Sequence, residues 1–224
     1  CGVGYETELN REVAQMIDDI AEDRVGNYLL LRPDAALNDG TLAAPEDFYA
    51  WARRLVEKRI HFAIVIFRAE GHRITPAVAR RIEEIGGKYF ISWNHHELGL
   101  MFMGSRRWRE AFVKGPLKSL REATEIYVDA VAERIRKEIP GKRRQLMCSE
   151  SSILSYLNVQ GGIDVPIAEI THTHCGPLTV SARGAARAYG KKVWGTHTAL
   201  LWTLGHGVFY GWDDARAERY RLAV

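Results

Sequence analysis

The feature that most constrains the fold of this chain is an unbroken apolar run over residues 61–67, with the sequence HFAIVIF. Apolar side chains follow one another there without the alternation that marks a strand with one solvated face. A strand of this kind is buried on both faces, which is typical of parallel sheets covered by helices. The run is also far shorter than the roughly 20 apolar residues that a membrane-spanning helix needs.

Helical and strand-like segments alternate along most of the chain. Apolar residues at helical spacing, such as Val13, Met16, Ile17 and Ile20, predict helices between the apolar runs of strand length. Strands are predicted over residues 27–31, 61–67, 88–93, 145–148, 165–170 and 193–198. Helices are predicted from residue 10, from residue 45, and over 76–86, 117–139, 152–159 and 178–189. Repeated strand–helix units predict an α/β fold with a parallel sheet, either doubly wound or closed into a barrel.

Two observations favour a (β/α)8 barrel of the TIM type. No glycine-rich nucleotide fingerprint follows any predicted strand, so no cofactor is predicted. Polar and titratable residues follow nearly every strand, at the end where such barrels build their active sites. The first helix has no predicted strand before it, and the segment 213–224 has none after it. We therefore expect a single barrel domain over residues 1–224 that lacks its first and last strands, with residues 88–93 as strand four.

Charge and cysteine content exclude several classes of function. The chain has 31 Lys and Arg residues against 28 Asp and Glu residues, a net charge of +3 that does not favour nucleic-acid binding. No run is long enough for a membrane span. Its cysteines, Cys1, Cys148 and Cys175, fit neither a disulfide framework nor a zinc knuckle. An incomplete barrel also leaves room for association with a further chain or segment that completes it.

Glu97 is the first candidate catalytic residue, in the segment Asn94-His95-His96-Glu97 that follows a buried strand. Loss of water raises the pKa of a carboxylic acid in such a place, as a general acid requires near neutral pH. The alternative is that Glu97 pairs with a neighbouring histidine or caps the following loop.

Two further carboxylates follow or end apolar strands. Glu169 lies in the apolar segment 166–170, where a buried carboxylate is costly unless it is paired or catalytic. Pairing with Arg68 or Arg32 is the structural alternative. Glu150, after residues 145–148, is the other candidate for the second catalytic carboxylate, and the sequence does not rank the two firmly.

Histidines at late strand ends allow a metal site as an alternative. His172, His174 and His197 offer imidazoles on neighbouring strands, which can bind a metal ion. The same side chains can instead donate hydrogen bonds to substrate hydroxyl groups.

Aromatic residues lie near the predicted strand ends. Trp93, Trp194, Trp202, Tyr210 and Trp212 are suited to stacking on the apolar face of a sugar ring. Two other tryptophans are expected to pack in the core, namely Trp51 and Trp108.

The segment Trp93-Asn94-His95-His96-Glu97 resembles the strand-four Asn-Glu of the retaining (β/α)8 glycoside hydrolases. The stretch 182–190, followed by Val193-Trp194-Gly195, is similar to later barrel segments of carbohydrate-active families. The resemblance implies a carbohydrate substrate. The chain departs from the pattern where two histidines separate Asn94 from Glu97, and where His197 stands in the strand-seven segment that carries the nucleophile in that clan.

The sequence therefore predicts a glycoside hydrolase with a pair of carboxylates. Glu97 would protonate the glycosidic oxygen, while Glu169, or else Glu150, would attack the sugar or activate water. Substrate contacts are predicted from eight residues: Asn94, His96, His172, His174, His197, Trp194, Trp202 and Arg68. The alternatives are a metal-dependent barrel hydrolase using the three late histidines, and a non-catalytic carbohydrate-binding or structural barrel.

Overall fold

The computed structural model describes residues 4–6, 13–23, 27–31, 44–66, 74–116, 119–138, 145–170 and 175–198. Its strands are β1 Gly4–Glu6, β2 Tyr28–Leu31, β3 His61–Ile66, β4 Phe90–His96, β5 Gln145–Glu150, β6 Val165–Ile170 and β7 Gly195–Thr198. Its α-helices are α1 Val13–Asp23, α2 Pro45–Glu57, α3 Pro76–Gly86, α4 Leu98–Met103, α5 Arg106–Trp108, α6 Leu120–Glu138, α7 Ser155–Gln160 and α8 Cys175–Ala188. A 3-10 turn, Gly87–Tyr89, precedes β4, and a π-helical turn, Arg109–Val113, follows α5. No helix in these ranges is both long and apolar enough to cross a membrane.

The sheet order decides between the two predicted α/β architectures. The strands lie in the order β1-β2-β3-β4-β5-β6-β7, and every neighbouring pair is parallel. A doubly wound sheet reverses direction at a switch point, whereas barrel strands follow chain order without reversal. The observed order has no reversal, which excludes a doubly wound sheet and is compatible with a barrel. Residues 199–224 lie outside the described part of the chain, so the predicted closure by an eighth strand stays a prediction.

The sheet is strongly curled. In a flat sheet, β4 and β7 would lie three strand spacings apart, about 14 Å. The rings of His96 on β4 and His197 on β7 have centroids only 6.3 Å apart. Glu169 on β6 lies 3.1 Å from His96, across the intervening β5. This curvature brings the carboxyl ends of β4, β6 and β7 together on the concave face.

Apolar side chains cover both faces of the sheet. We call the face that packs against the helices the outer face; its core includes Phe62, Ile64 and Trp93. The concave inner face carries a second cluster made by strands alone: Leu30, Ala63, Val65, Met147, Val165 and Ile167. The apolar run that begins at His61 therefore contributes to both cores, which confirms the prediction of a strand buried on two sides.

Several predicted boundaries were wrong. A strand precedes the first helix after all, since β1 pairs with β2. The predicted strand over 88–93 extends to His96, and the strand over 145–148 extends to Glu150. The short helices α4 and α5, over residues 98–108, were not predicted. Residues 90–96 form the fourth strand of the sheet, in agreement with the predicted strand four, because β1 occupies the first position.

Close packing at Gly161 gives a stability prediction. A Cβ atom added there would lie 2.6 Å from Val131 Cγ1, whereas one added at Gly184, inside α8, would meet no atom within 4 Å. We expect Gly161→Ala to destabilise the protein by about 1–3 kcal/mol through overpacking. Gly184→Ala should be stabilising by about 0.5–1 kcal/mol, because alanine is the better helix former. Urea unfolding of both variants measures the difference, and equal effects would contradict the packing described here.

Candidate functional site

Side chains from three strands meet on the inner face at the carboxyl end of the sheet. Side chains alternate between the faces of a strand, so Glu169 points inward with Ile167, two residues before it. His197 is the register partner of Glu169 on β7. His96 is paired with Ser149 on β5, next to β6. We call His96, Glu169 and His197 the inner-face triad.

The triad is compact and largely removed from solvent. His96 Nε2 lies 3.1 Å from Glu169 Oε2. One potential ligand atom from each of the three residues falls within 4.8 Å of the others. Glu169 is 8% exposed. Two imidazoles and a carboxylate at this spacing are a donor set that suits a divalent transition metal.

Glu97 lies beside the triad, at the start of α4. Its backbone adopts φ +48°, the left-handed region that non-glycine residues seldom occupy. Its side chain accepts a hydrogen bond from Ser151 Oγ at 2.7 Å. Its Oε2 is 3.8 Å from His96 Nδ1. His96 therefore lies between two carboxylates, Glu97 on one side of the ring and Glu169 on the other. This contact corresponds to the Glu97–histidine pair that the sequence offered as the alternative to a catalytic role.

Asn94 is buried on the inner face, two residues before His96. Its Nδ2 donates to Ser149 Oγ at 3.1 Å, and its Oδ1 accepts the Ser149 N–H at 3.2 Å. Both ends of the amide are thus engaged with β5. The structure places Asn94 as a cross-link beneath the triad, not beside a surface that a sugar hydroxyl could reach.

Glu150 lies on the outer face, the side of the sheet away from the triad. It is buried, and it accepts hydrogen bonds from the Gly99 N–H at 3.0 Å, Asn158 Nδ2 at 3.1 Å and Ser152 Oγ at 2.9 Å. The structure therefore does not bring Glu150 together with Glu169 as alternative partners of one site. Burial raises the pKa of the Glu150 carboxyl, the three hydrogen bonds oppose that rise, and the nearby charge of Glu97 adds to it.

The raised pKa of Glu150 predicts a pH dependence of stability. An acid whose pKa is higher in the folded state contributes stability at low pH, and that contribution is lost as pH rises through the folded-state pKa. Glu150→Gln removes the titrating group. We expect the unfolding free energy of the wild type, relative to Glu150→Gln, to fall as pH rises above 4.5, the ordinary glutamate value. Urea unfolding of both proteins between pH 4 and 7 tests this. An unfolding free energy of the wild type that rises with pH relative to that of Glu150→Gln would contradict it.

The two predicted sugar-stacking tryptophans in the described ranges lie away from the triad. Trp93 is 1% exposed on the outer face, and its Nε1 donates to Glu83 Oε1 at 2.8 Å. It belongs to the core, so the prediction for Trp93 was wrong. Trp194 is 38% exposed but precedes β7, at the strand end opposite to His197. Trp51 is buried in the core and Trp108 packs against it, as predicted.

Other predicted site residues lie outside the described ranges. These are Arg68, His172, His174, Trp202, Tyr210 and Trp212. The predicted cluster of three late histidines is thus represented only by His197. Its neighbours in the structure are His96 and Glu169. Sequence reasoning placed both residues in the site but did not group them as ligands. The sequence does carry one signal for His96. If β4 is extended past Trp93, Asn94 and His96 are two residues apart in a strand and therefore lie on the same face.

Comparisons with known proteins give similar solved structures at low sequence identity. The sequence matches no family model, and it matches no curated protein. A crystal structure of D-psicose 3-epimerase in the presence of D-fructose is similar with a TM-score of 0.44 and 8% identity, over 87% of this chain and 83% of that chain. A putative lyase/mutase from Burkholderia cenocepacia J2315 has a TM-score of 0.43 and 10% identity, over 97% and 89% of the two chains. Neither is a glycoside hydrolase, and similarities this low do not carry a function to the present chain.

Proposed function

We propose that this chain is a metal-dependent enzyme of barrel type, with the inner-face triad as its metal ligands. The observation that carries the proposal is the meeting of His96, Glu169 and His197, whose potential ligand atoms lie within 4.8 Å of one another. They come from three different strands, at the sheet end where barrel enzymes hold their active sites. A buried carboxylate between imidazoles is costly without a proton or a cation to balance its charge.

The donor set fits a catalytic site better than a structural one. Structural zinc sites have four protein ligands, whereas catalytic sites use three and leave a position for water or substrate. Two imidazoles with one carboxylate suit zinc, iron or manganese. A cation held there would supply Lewis-acid polarisation of a substrate oxygen. Glu97 lies 3.8 Å from the other ring nitrogen of His96, on the side away from Glu169, where its carboxylate would orient the imidazole.

The two-carboxylate glycoside hydrolase is the second candidate. It keeps the predicted carboxylates Glu97 and Glu169 near each other, but the His96 ring lies between them, where the scissile bond of such a site belongs, so it ranks below the metal-dependent enzyme. In that mechanism Glu97 protonates the glycosidic oxygen, and Glu169 attacks the anomeric carbon or activates water. His96 and His197 then hold substrate hydroxyl groups. No metal ion takes part in this second mechanism.

Metal titration of the purified chain separates the two candidates. The metal-free protein is dialysed against Zn²⁺, Mn²⁺ or Co²⁺, and the bound ion is measured by elemental analysis. We expect one equivalent of at least one cation, and the same stoichiometry in His61→Ala, whose histidine begins β3 at the other end of the sheet. Binding below one equivalent for every cation would overturn the metal proposal. Hydrolysis of aryl glycosides that is insensitive to chelators, and lost in Glu97→Gln, would support the second candidate.

A further inference from the structure

One buried carboxylate connects four elements behind the proposed metal site. Glu150, at the end of β5, accepts hydrogen bonds from Gly99 in α4 and Asn158 in α7. Asn158 Oδ1 in turn accepts a hydrogen bond from the Tyr127 hydroxyl of α6 at 2.6 Å. We propose that Glu150 is a positioning residue that fixes the turn carrying His96 and Glu97. The proposed function of the triad is the premise for its effect on metal binding.

The turn is short and is held from both sides. His96 ends β4, and only Glu97 and Leu98 separate it from Gly99. The Glu97 N–H donates to the Ser149 carbonyl oxygen at 2.7 Å. One residue further along β5, the Glu150 carboxylate accepts the N–H of Gly99. Consecutive residues of β5 thus fix the backbone at positions 97 and 99.

Gly99 provides the space that the carboxylate occupies. A Cβ atom at that position would lie 2.8 Å from Leu154 Cδ1 and 3.1 Å from Glu150 Oε1. Only glycine lets the α4 backbone approach the carboxylate this closely without a shift of its neighbours. The contact therefore depends on both residues.

The strained backbone of Glu97 explains why the turn has to be held in place. A non-glycine residue at φ +48° is strained, and such strain persists where surrounding contacts hold it. Here those contacts are the Glu97 N–H bond to Ser149 and the Gly99 N–H bond to Glu150. If the Glu150 bond is lost, the turn can relax. This relaxation displaces both the Glu97 carboxylate and the His96 ring.

Glu150→Gln tests the anchor with little change in volume. Three donors converge on the carboxylate. A glutamine amide keeps one acceptor oxygen for Gly99 and Asn158 and places an NH₂ group beside the Ser152 hydroxyl, which can accept from it. The substitution therefore removes the negative charge and weakens the charge-assisted hydrogen bonds that hold the turn. Glu83→Gln is the matched control: Glu83 is a buried residue of α3 that faces the outer side of the sheet and accepts a hydrogen bond from Trp93.

Two measurements on each variant distinguish positioning from general stability. The first is the affinity for Co²⁺, followed by its visible absorption, at a temperature where all proteins are folded. Groups that contact a metal ligand directly change metal affinity by about 10- to 100-fold. Glu150 acts on His96 only through the turn, so we expect a smaller loss of about 3- to 10-fold in Glu150→Gln and no measurable change in Glu83→Gln. The second is the backbone amide NMR spectrum of the metal-free proteins, where we expect residues 96–99 to shift in Glu150→Gln only.

The outcomes separate this inference from its premise. Wild-type Co²⁺ affinity in a folded Glu150→Gln overturns the positioning role. A wild type that binds none of Zn²⁺, Mn²⁺ and Co²⁺ overturns the proposed function. The metal-free amide shifts then decide the positioning role alone, with unchanged signals from 96–99 against it. Should Glu150→Gln fail to fold, Ser152→Ala removes one donor from the carboxylate. A smaller affinity loss in the same direction is expected there, and none would overturn the role.

Discussion

Replacing His197 with alanine is expected to lower the affinity for a divalent cation by more than a hundredfold. Changes to groups that only orient metal ligands cost about 10- to 100-fold, so the loss of a direct ligand should exceed that range. The remaining His96 and Glu169 would still lie 3.1 Å apart but would offer only two donors. Titration of the metal-free variant with Zn²⁺, Mn²⁺ and Co²⁺ measures the change.

Two variants serve as controls for His197→Ala. His61→Ala removes a histidine at the amino end of β3 and should bind metal as the wild type does. Glu97→Gln removes the charge beside His96 without removing a proposed ligand, and its affinity should fall by no more than the 10- to 100-fold typical of groups that orient a ligand. Equal affinity in His197→Ala and the wild type would contradict the inner-face triad as a metal site. A glycosidase that used two carboxylates would show the opposite ranking in turnover, with Glu97→Gln the more damaging change.

The sequence predicted the architecture better than the ends of its strands. The apolar run over 61–67 and the alternation of helical and strand-like segments led to the correct parallel sheet, since both depend on burial alone. The ends of β4 and β5 were placed too early because Asn94, His96 and Ser149 are polar and were therefore assigned to loops. At the carboxyl end of a curled sheet the concave face is polar, so polarity there does not mean the end of a strand.

The same boundary error explains the uncertainty between Glu150 and Glu169. Adjacent residues of a strand point to opposite faces, and the face depends on where the pairing register begins. A β5 that ends at Cys148 assigns Glu150 to a loop at the carboxyl end of the sheet. In the structure it continues the strand and points to the helices, whereas Glu169 points inward. A single sequence carries no signal that fixes this register.

The grouping of His96 with Glu169 and His197 depends on curvature. These residues are 73 and 101 positions from His96 along the chain, and they lie on strands that do not neighbour β4. No spacing rule links them. Only the curl of the sheet, which reduces a separation of about 14 Å to a ring distance of 6.3 Å, brings them to one site.

Trp93→Ala is expected to destabilise the protein by about 3–5 kcal/mol, the usual cost of removing a large buried aromatic side chain. Trp93 is fully buried and packs at 5.1 Å, ring to ring, against Phe90. The substitution also leaves the buried Glu83 carboxylate without its Trp93 donor. Since small domains are stable by only about 5–15 kcal/mol, the variant should be partly unfolded on mild heating. Urea unfolding followed by far-UV circular dichroism measures the loss.

Trp194 supplies the comparison that makes this result informative about the site. Trp194→Ala should cost about 1 kcal/mol or less, because the ring is 38% exposed. If Trp93 instead lined a sugar-binding mouth, the two variants would have similar stabilities, and Trp93→Ala would lose ligand binding. A double-mutant cycle of Trp93→Phe with Glu83→Leu isolates the hydrogen bond, since the second change removes the acceptor that the first leaves unpaired. A loss of stability in the double variant that is smaller than the sum of the two single losses would show that the two side chains interact directly. Additive losses would contradict that contact.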